Sequence, residues 1–239
     1  MSHFYKNEYG NTVPSVTTIL KLLHKDRIAE WANSLGFMRK SYKETLFEYA
    51  NIGTLMHEAI ECELLGKKRI PYINNIIEKK IEKRIDNFNI WRTKNNLIFD
   101  DIRTEVTYSS YTYAGTCDCI ASINGKYTLI DFKSSKKIYP SQFIQAAAYL
   151  GLIFINDPKL FDKIEDIMII SITDKDCSSK SMSKLKANKY MEIFKLLVLL
   201  YYQYNEVLKT DWDSSLGEDN NDKWFVCCNS DSGYSFWCY

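Results

Sequence analysis

Asn124-Gly125 interrupts a run of alternating side chains, with TCDCIASI before it and KYTLIDFK after it. No other feature restricts the fold as strongly. A two-residue type I′ turn needs positive φ at both central positions, and Asn-Gly accepts it. Such a loop predicts a hairpin in which Ile123 faces Lys126, so that partner numbers sum to 249 and Asp118 falls opposite Asp131. Period two then collects Thr116, Asp118, Ile120, Leu129, Asp131 and Lys133 on one face. The other face receives Cys117, Cys119, Ala121, Ile123, Ile130 and Phe132, an apolar set suited to burial. Directly opposed like charges destabilise a strand pair, so this register requires positive charge near the two aspartates. Lys133 supplies one such charge. A divalent cation, which prefers clustered carboxylate oxygens, would supply the rest. Without it, one aspartate would have to be protonated or exposed at a sheet edge.

Around this hairpin the hydrophobic period changes. Residues 3–13 predict a short hairpin turning at Tyr9-Gly10-Asn11. PSVTTILKLL reads as a helix entered through a Ser15 cap, and DRIAEWANSLG as a second helix closed by Gly36. Helices at about 51–65 and 73–94 precede the strand-rich stretch. After it come a helix at about 139–155, a strand at about 165–173, a polar loop at 174–181 and a long helix at about 182–208. KWFVCC in the tail predicts an edge strand. With no internal repeat or low-complexity linker, the 239 residues read as one α/β domain with a helical N-terminal portion. Its parts are a hairpin and helices over 1–95, a sheet core over 96–175, and a helix with an acidic tail over 176–239.

Charge is unevenly spread although the formal net charge is only +1. Residues 67–94 hold nine Lys/Arg against three Asp/Glu, whereas residues 210–239 hold six acids against one lysine. The basic stretch suits a polyanion-binding face, and equally a solvated helix face with i,i+4 ion pairs. No apolar run reaches the ~18–20 residues that a membrane helix needs; MEIFKLLVLLYYQY is too short and carries charge. The start MSHFYKNEYGN lacks a basic-then-apolar signal pattern. The seven cysteines form no CxxC pair, which points to reduced thiols in a cytoplasmic compartment. Four of them could in principle hold an iron–sulfur cluster, but their spacing lacks the usual short repeats. A composition rich in Asn, Ile, Lys and Tyr fits an AT-rich genome such as that of a phage.

Five segments occur in a telling order: PSVTTIL, GTLMHEAIE with His57, Glu105 followed by AGTCDCIA with Asp118, IDFKSS with Asp131 and Lys133, and QAAAY with Gln145 and Tyr149. Together they resemble the PD-(D/E)XK nuclease superfamily. Within it they are most similar to the RecB-like branch, which includes mitochondrial genome maintenance exonucleases, CRISPR adaptation nucleases and many phage proteins. The resemblance implies a restriction-endonuclease-like core, a central mixed β-sheet flanked by helices. It implies that Asp118, Asp131 and the backbone carbonyl of Phe132 hold Mg²⁺ or Mn²⁺, with His57 as the branch-specific ligand and Lys133 orienting or activating the attacking water. An imidazole in an oxygen-rich site fits Mn²⁺ better than Mg²⁺ alone. Glu61, one turn after His57, suits either a partner fixing the histidine tautomer or a surface glutamate. Glu105 matches an acidic position seen before the metal aspartate in some relatives. Gln145 and Tyr149 match a Gln-x-x-x-Tyr motif that helps hold the metal site and the DNA backbone. Cys227, Cys228 and Cys238 do not reproduce the four-cysteine pattern of the cluster-binding relatives.

The implied activity is metal-dependent hydrolysis of DNA at its ends, on single strands or flaps, in replication, recombination or repair. A structure-selective or restriction-type endonuclease is the alternative within enzymes, and a catalytically silent nucleic-acid-binding module the alternative outside them. Lys79, Lys80, Lys83 and Arg84 on the basic helix, with Lys136 and Lys137, would guide the phosphate backbone in a salt-sensitive way. Tyr111, Tyr113 and Trp91 could stack on bases. Oligomeric state and cleavage polarity are not encoded legibly.

Overall fold

The computed structural model describes residues 4–23 and 26–212. An N-terminal hairpin, β1 (Phe4–Lys6) and β2 (Thr12–Pro14), turns through Gly10 at φ 78°. Ser15 then caps α1 (Val16–Ile19) by accepting the Thr18 N–H at 3.0 Å. Next come α2 (Asp26–Phe37), α3 (Tyr42–Leu64) and α4 (Asn75–Lys94). Gly36 does not close α2 but lies inside it; the positive-φ residue at its end is Arg39, after which Lys40 N–H returns to the Leu35 carbonyl. The third helix starts nine residues earlier than its apolar pattern suggests, at a Ser41 cap on the Glu44 N–H.

The sheet is mixed and five-stranded, in the order β3 (Phe99–Ser109), β4 (Ala114–Ile123), β5 (Lys126–Lys133), β6 (Ile164–Ile172) and β7 (Cys177–Ser183). Only β5 and β6 run parallel, joined through α5 (Pro140–Asn156) and α6 (Pro158–Lys163); the other pairs are antiparallel. α7 (Lys184–Trp212) closes the described chain. The expected polar loop at 174–181 is in large part the edge strand β7. Ladder hydrogen bonds to β6, from Ile172↔Cys177 to Asp166↔Ser183, hold a segment that has almost no apolar side chains to announce it. The expected edge strand in KWFVCC lies outside the described residues, as do Cys227, Cys228 and Cys238.

Helices cover both faces of the sheet, giving two cores. One packs Val16 and Ile19 of α1, the Ala146–Ala147–Ala148 run of α5 and Phe194 of α7 against Ile120, Leu129 and Ile169. The other packs Met56 and Ile60 of α3 and Ile81 and Phe88 of α4 against Cys119, Ile130, Phe132 and Ile170. The 124–125 turn has φ 51° and 86°, and the hairpin register runs from Ile123↔Lys126 to Cys119↔Ile130. Strict alternation fails one step further on. Cys117 and Cys119, two residues apart, lie in different cores, so Cys117 does not share the face of Cys119 and Phe132. On the neighbouring strand the ladder passes from Thr104↔Cys119 to Val106↔Cys117, and Glu105 at the intervening step has φ 50°. Glu105 and Asp118 thus drop out of the ladder together without a change of register, and this local break frees two carboxylates from ordinary sheet geometry.

Candidate metal centre

The described residues offer one cluster of metal-ligating side chains, formed by His57, Glu105 and Asp118. One ligand atom from each lies within 4.8 Å of the others. His57 comes from α3, whose buried residues Met56 and Ile60 seat the helix on the sheet. Its ring meets Phe132 edge-on at 6.3 Å, and its Nδ1 lies 3.5 Å from Asp118 Oδ2. That same carboxylate oxygen accepts the Phe132 N–H at 2.8 Å. Asp118 is thus tied to β5 by its side chain just where the main-chain pairing of β4 and β5 stops.

Asp131 follows on β5 and is 1% exposed. Lys133 Nζ approaches its Oδ2 at 2.6 Å, outside hydrogen-bonding geometry, and neither carboxylate oxygen has a hydrogen-bond donor among the described residues. Burial raises the Asp131 carboxyl to about 6, with the Lys133 charge pulling the other way and Asp118 adding to the rise. Burial also opposes ionisation of Asp118, but the His57 hydrogen bond and charge, the Lys133 charge and the Phe132 N–H outweigh it and hold this carboxyl below its usual range. For His57 burial works against protonation, and Asp118 more than reverses it. Glu105 is raised by burial and then by the Asp118 charge. The two hairpin aspartates are therefore pushed in opposite directions, as carboxylates sharing one site must be.

This donor set fits a divalent cation. It offers an imidazole and carboxylate oxygens at converging positions, and a buried carboxylate whose charged partner is Lys133. His57, Glu105 and Asp118 are the residues whose atoms converge and could hold the ion, and Asp131 sits close enough for the charges of Asp118 and His57 to reach it. Glu105, expected only as a supporting acid, stands here as a full member of the cluster.

Gln145 and Tyr149 complete the wall on α5: Gln145 Nε2 donates to Tyr149 Oη at 2.9 Å. The tyrosine is buried against Gly115, where a Cβ would lie 2.6 Å from its Cε1. This contact explains the glycine of AGTCDCIA. Burial first, then the Asp131 and Asp118 charges, keeps the Tyr149 phenol protonated.

Other expected residues are placed differently. Glu61 turns toward β3, accepting from Thr104 Oγ1 at 3.0 Å with Lys67 Nζ at 3.8 Å, and its partners among the described residues do not include His57. Lys136 and Lys137 are exposed on the loop after Lys133, which Ser171 pins by donating to the Ser135 carbonyl at 2.6 Å. Lys79, Lys80 and Lys83 line a shallow concavity with Ile76 and Asp174, and Lys80 is paired with Glu48 at 2.9 Å. Arg84 is unavailable to a phosphate backbone. It is 5% exposed, donating to Asp174 Oδ1 at 2.7 Å and to the Ile172 carbonyl at 2.9 Å. Its place between Ile81 and Phe88, on the buried stripe of α4, was the signal that could have revealed this. Tyr113 is also withdrawn, buried against Phe194 at 4.9 Å, and Trp91 packs on Phe88 at 6.0 Å. Tyr111 remains 47% exposed.

No protein-family model matches the sequence, and no curated protein matches it significantly. Among solved structures, the alkaline exonuclease LHK-Exo from Laribacter hongkongensis aligns at 11% identity over 66% of this chain and 84% of its own, with a TM-score of 0.31. Its complex with dAMP aligns at 12% identity over 66% and 85%, with a TM-score of 0.30. SSO0001 aligns at 21% identity with a TM-score of 0.28, over 49% of this chain and only 60% of its own. The chemistry of the site has to come from its own geometry. Among the described residues, no helix is long and apolar enough to cross a membrane.

Proposed function

We propose that the chain is a metal-dependent deoxyribonuclease of the PD-(D/E)XK type that hydrolyses phosphodiester bonds at DNA ends, with single strands or flaps as substrate. The observation that carries this reading is the meeting, at one break in the sheet, of the His57–Glu105–Asp118 cluster with the buried Asp131–Lys133 pair. A divalent cation held there supplies Lewis-acid polarisation of the phosphodiester and a lowered pKa for bound water; the imidazole ligand favours Mn²⁺ over Mg²⁺ alone.

The protein's own groups do the positioning. Lys133 brings an ammonium to the mouth of the site, where it donates to the attacking water and offsets negative charge building on the phosphoryl oxygens. Asp131 holds that ammonium in place through their 2.6 Å ion pair. The Phe132 N–H fixes the Asp118 carboxylate, and Gln145, donating to the hydroxyl of a tyrosine locked on Gly115, stands at a set place beside the DNA backbone. In the net reaction a water oxygen bonds to phosphorus, one P–O ester bond breaks, and the departing oxygen takes a proton. Lys136 and Lys137, together with Lys79 and Lys83 on α4, guide the backbone as screened charges, so binding weakens steeply with salt.

End-labelled linear and closed circular single-stranded DNA, incubated with Mn²⁺ or Mg²⁺, test the proposal. Metal-dependent loss of linear DNA by the wild type and none by Lys133→Ala is the expected result. Equal loss by both, or none by either, refutes the nuclease reading. Cutting of circles makes the enzyme an endonuclease, and a gel shift without cleavage makes the chain a binding module.

A further inference from the structure

The helix that contributes His57 extends well beyond the sheet. From Ile52 onward α3 is packed, whereas residues 43, 44 and 46–51 are exposed, and Tyr42 and Thr45 are half-buried. Leu46 precedes His57 by eleven residues, three turns or roughly 16 Å along the helix, and so lies on the same stripe. At 100° per residue, Lys43 and Ala50 share that side, with Phe47 and Tyr49 flanking it on either hand. Glu44 and Glu48 point the opposite way, and Glu48 is engaged by Lys80 of α4.

The chemistry of this projecting side is unusual for a solvent-facing helix. Leu46, Phe47 and Tyr49 are 46%, 76% and 55% exposed; Leu46 lies in line with the polar site, and the two rings border that line on its two sides. Tyr49 is braced rather than loose, since Trp31 of α2 meets it edge-on at 6.1 Å and meets Tyr42 at 5.5 Å. Nearer the site the side chains shrink to Ala50 and Gly53, and a Cβ on Gly53 would lie 3.4 Å from Ser134 Oγ. The stripe therefore leads to the loop that directly follows Lys133. Apolar rings beside a lysine, with the acids turned away, suit a ligand that is anionic along its length and flat at intervals.

We propose that the projecting turns of α3 form an entry track for one unpaired nucleic-acid strand, with Phe47 and Tyr49 stacking on its bases and Lys43 contacting its phosphates. A duplex cannot use such rings, because its bases already stack on one another, whereas every unpaired base presents a face to an aromatic side chain. This assignment rests on the nuclease reading only for the direction of travel, toward His57. The binding itself stands without cleavage.

The full-length protein is titrated in EDTA against a short fluorescein-labelled oligo(dT) and against a blunt duplex of equal length. Phe47→Ala and Tyr49→Ala each weaken oligo(dT) binding by roughly tenfold or more and leave the duplex unchanged, while Phe47→Trp retains the affinity. Lys43→Ala makes oligo(dT) binding less sensitive to salt, lowering the slope of log K against log salt by about 0.7 for the one phosphate it no longer neutralises. All three side chains are exposed on the helix, and circular dichroism melting verifies that the variants are folded. The proposal is overturned if the alanine variants keep full oligo(dT) affinity, if duplex binding falls equally, or if the wild type self-associates through this face and the variants do not. Cleavage assayed separately distinguishes the two readings. Cutting with unaltered binding removes the track alone, and selective binding without cutting removes the nuclease alone.

Discussion

Replacing Gly115 by alanine adds a single methyl group at the back of the site. That Cβ would lie 2.6 Å from Tyr149 Cε1 and 3.2 Å from Val16 Cγ2. Carbon pairs are comfortable at about 3.5–4.0 Å, so the ring must retreat by ~1 Å. It has little room to do so: Tyr149 is 5% exposed, Val16 0%, and the α5 segment behind them is the alanine run packed in the core. Overpacking of this kind costs about 1–3 kcal/mol, which in a chain of this size lowers Tm by roughly 2–12 °C. The same displacement carries the tyrosine hydroxyl away from Gln145, and a misplacement of about 1 Å in a positioning group can cost on the order of 100-fold in rate. Urea unfolding and initial cleavage rates measure both effects. Tyr149→Leu shortens the obstructing side chain, so the double variant should be more stable than the two single losses added together predict. Full stability and activity in Gly115→Ala would refute the close packing, and strict additivity in the double variant would refute its assignment to Tyr149.

Arg84→Ala should lower stability by about 1–3 kcal/mol by leaving the Ile172 carbonyl without its donor, the half-exposed Asp174 turning to water, measured by urea titration; a surface arginine that merely guided DNA would change it little. Glu105→Gln should weaken Mn²⁺ binding at least tenfold in calorimetry, an order of magnitude typical even for groups supporting a metal site. The Glu78 carboxyl is held at about 2 by its hydrogen bond from Arg69, against burial and with help from the Tyr72 N–H and the Arg69 charge. Because this pKa is depressed on folding, the stabilisation is full above the ordinary glutamate range and is lost as pH falls from about 4.5 to about 2. Acid titration followed by circular dichroism should show that loss, and Arg69→Met should flatten it.

Much of the hairpin was legible because one dipeptide governs it. Asn124-Gly125 sets the positive φ values, and every observed pair between β4 and β5 follows from that turn. The Ser15 cap and the Ala146–Ala147–Ala148 contact were legible for the same reason, since each depends on local chemistry. What escaped depends on partners distant in sequence. β7 is held by backbone bonds to β6 and has no hydrophobic alternation to mark it. The place of Glu105 beside His57 and Asp118 escaped because it hangs on a left-handed backbone residue within a strand, and alternation rules assume none. The charge of Arg84 suggests a DNA-facing side chain, although its spacing from Ile81 and Phe88 places it with the core.

The buried carboxylate of Asp131 has a thermodynamic consequence. A charge-bearing group at the centre of the sheet, 1% exposed and met by a single ammonium, that of Lys133, is a debt that the polypeptide carries through folding. A cation that satisfies it binds the native chain and has no comparable site in the unfolded one. Metal occupancy and folding are then linked equilibria: at free cation about 100-fold above Kd, the native state gains about 2.7 kcal/mol. A chelator would act on this protein as a mild denaturant, and the melting temperature would titrate with metal even in a variant that cuts nothing.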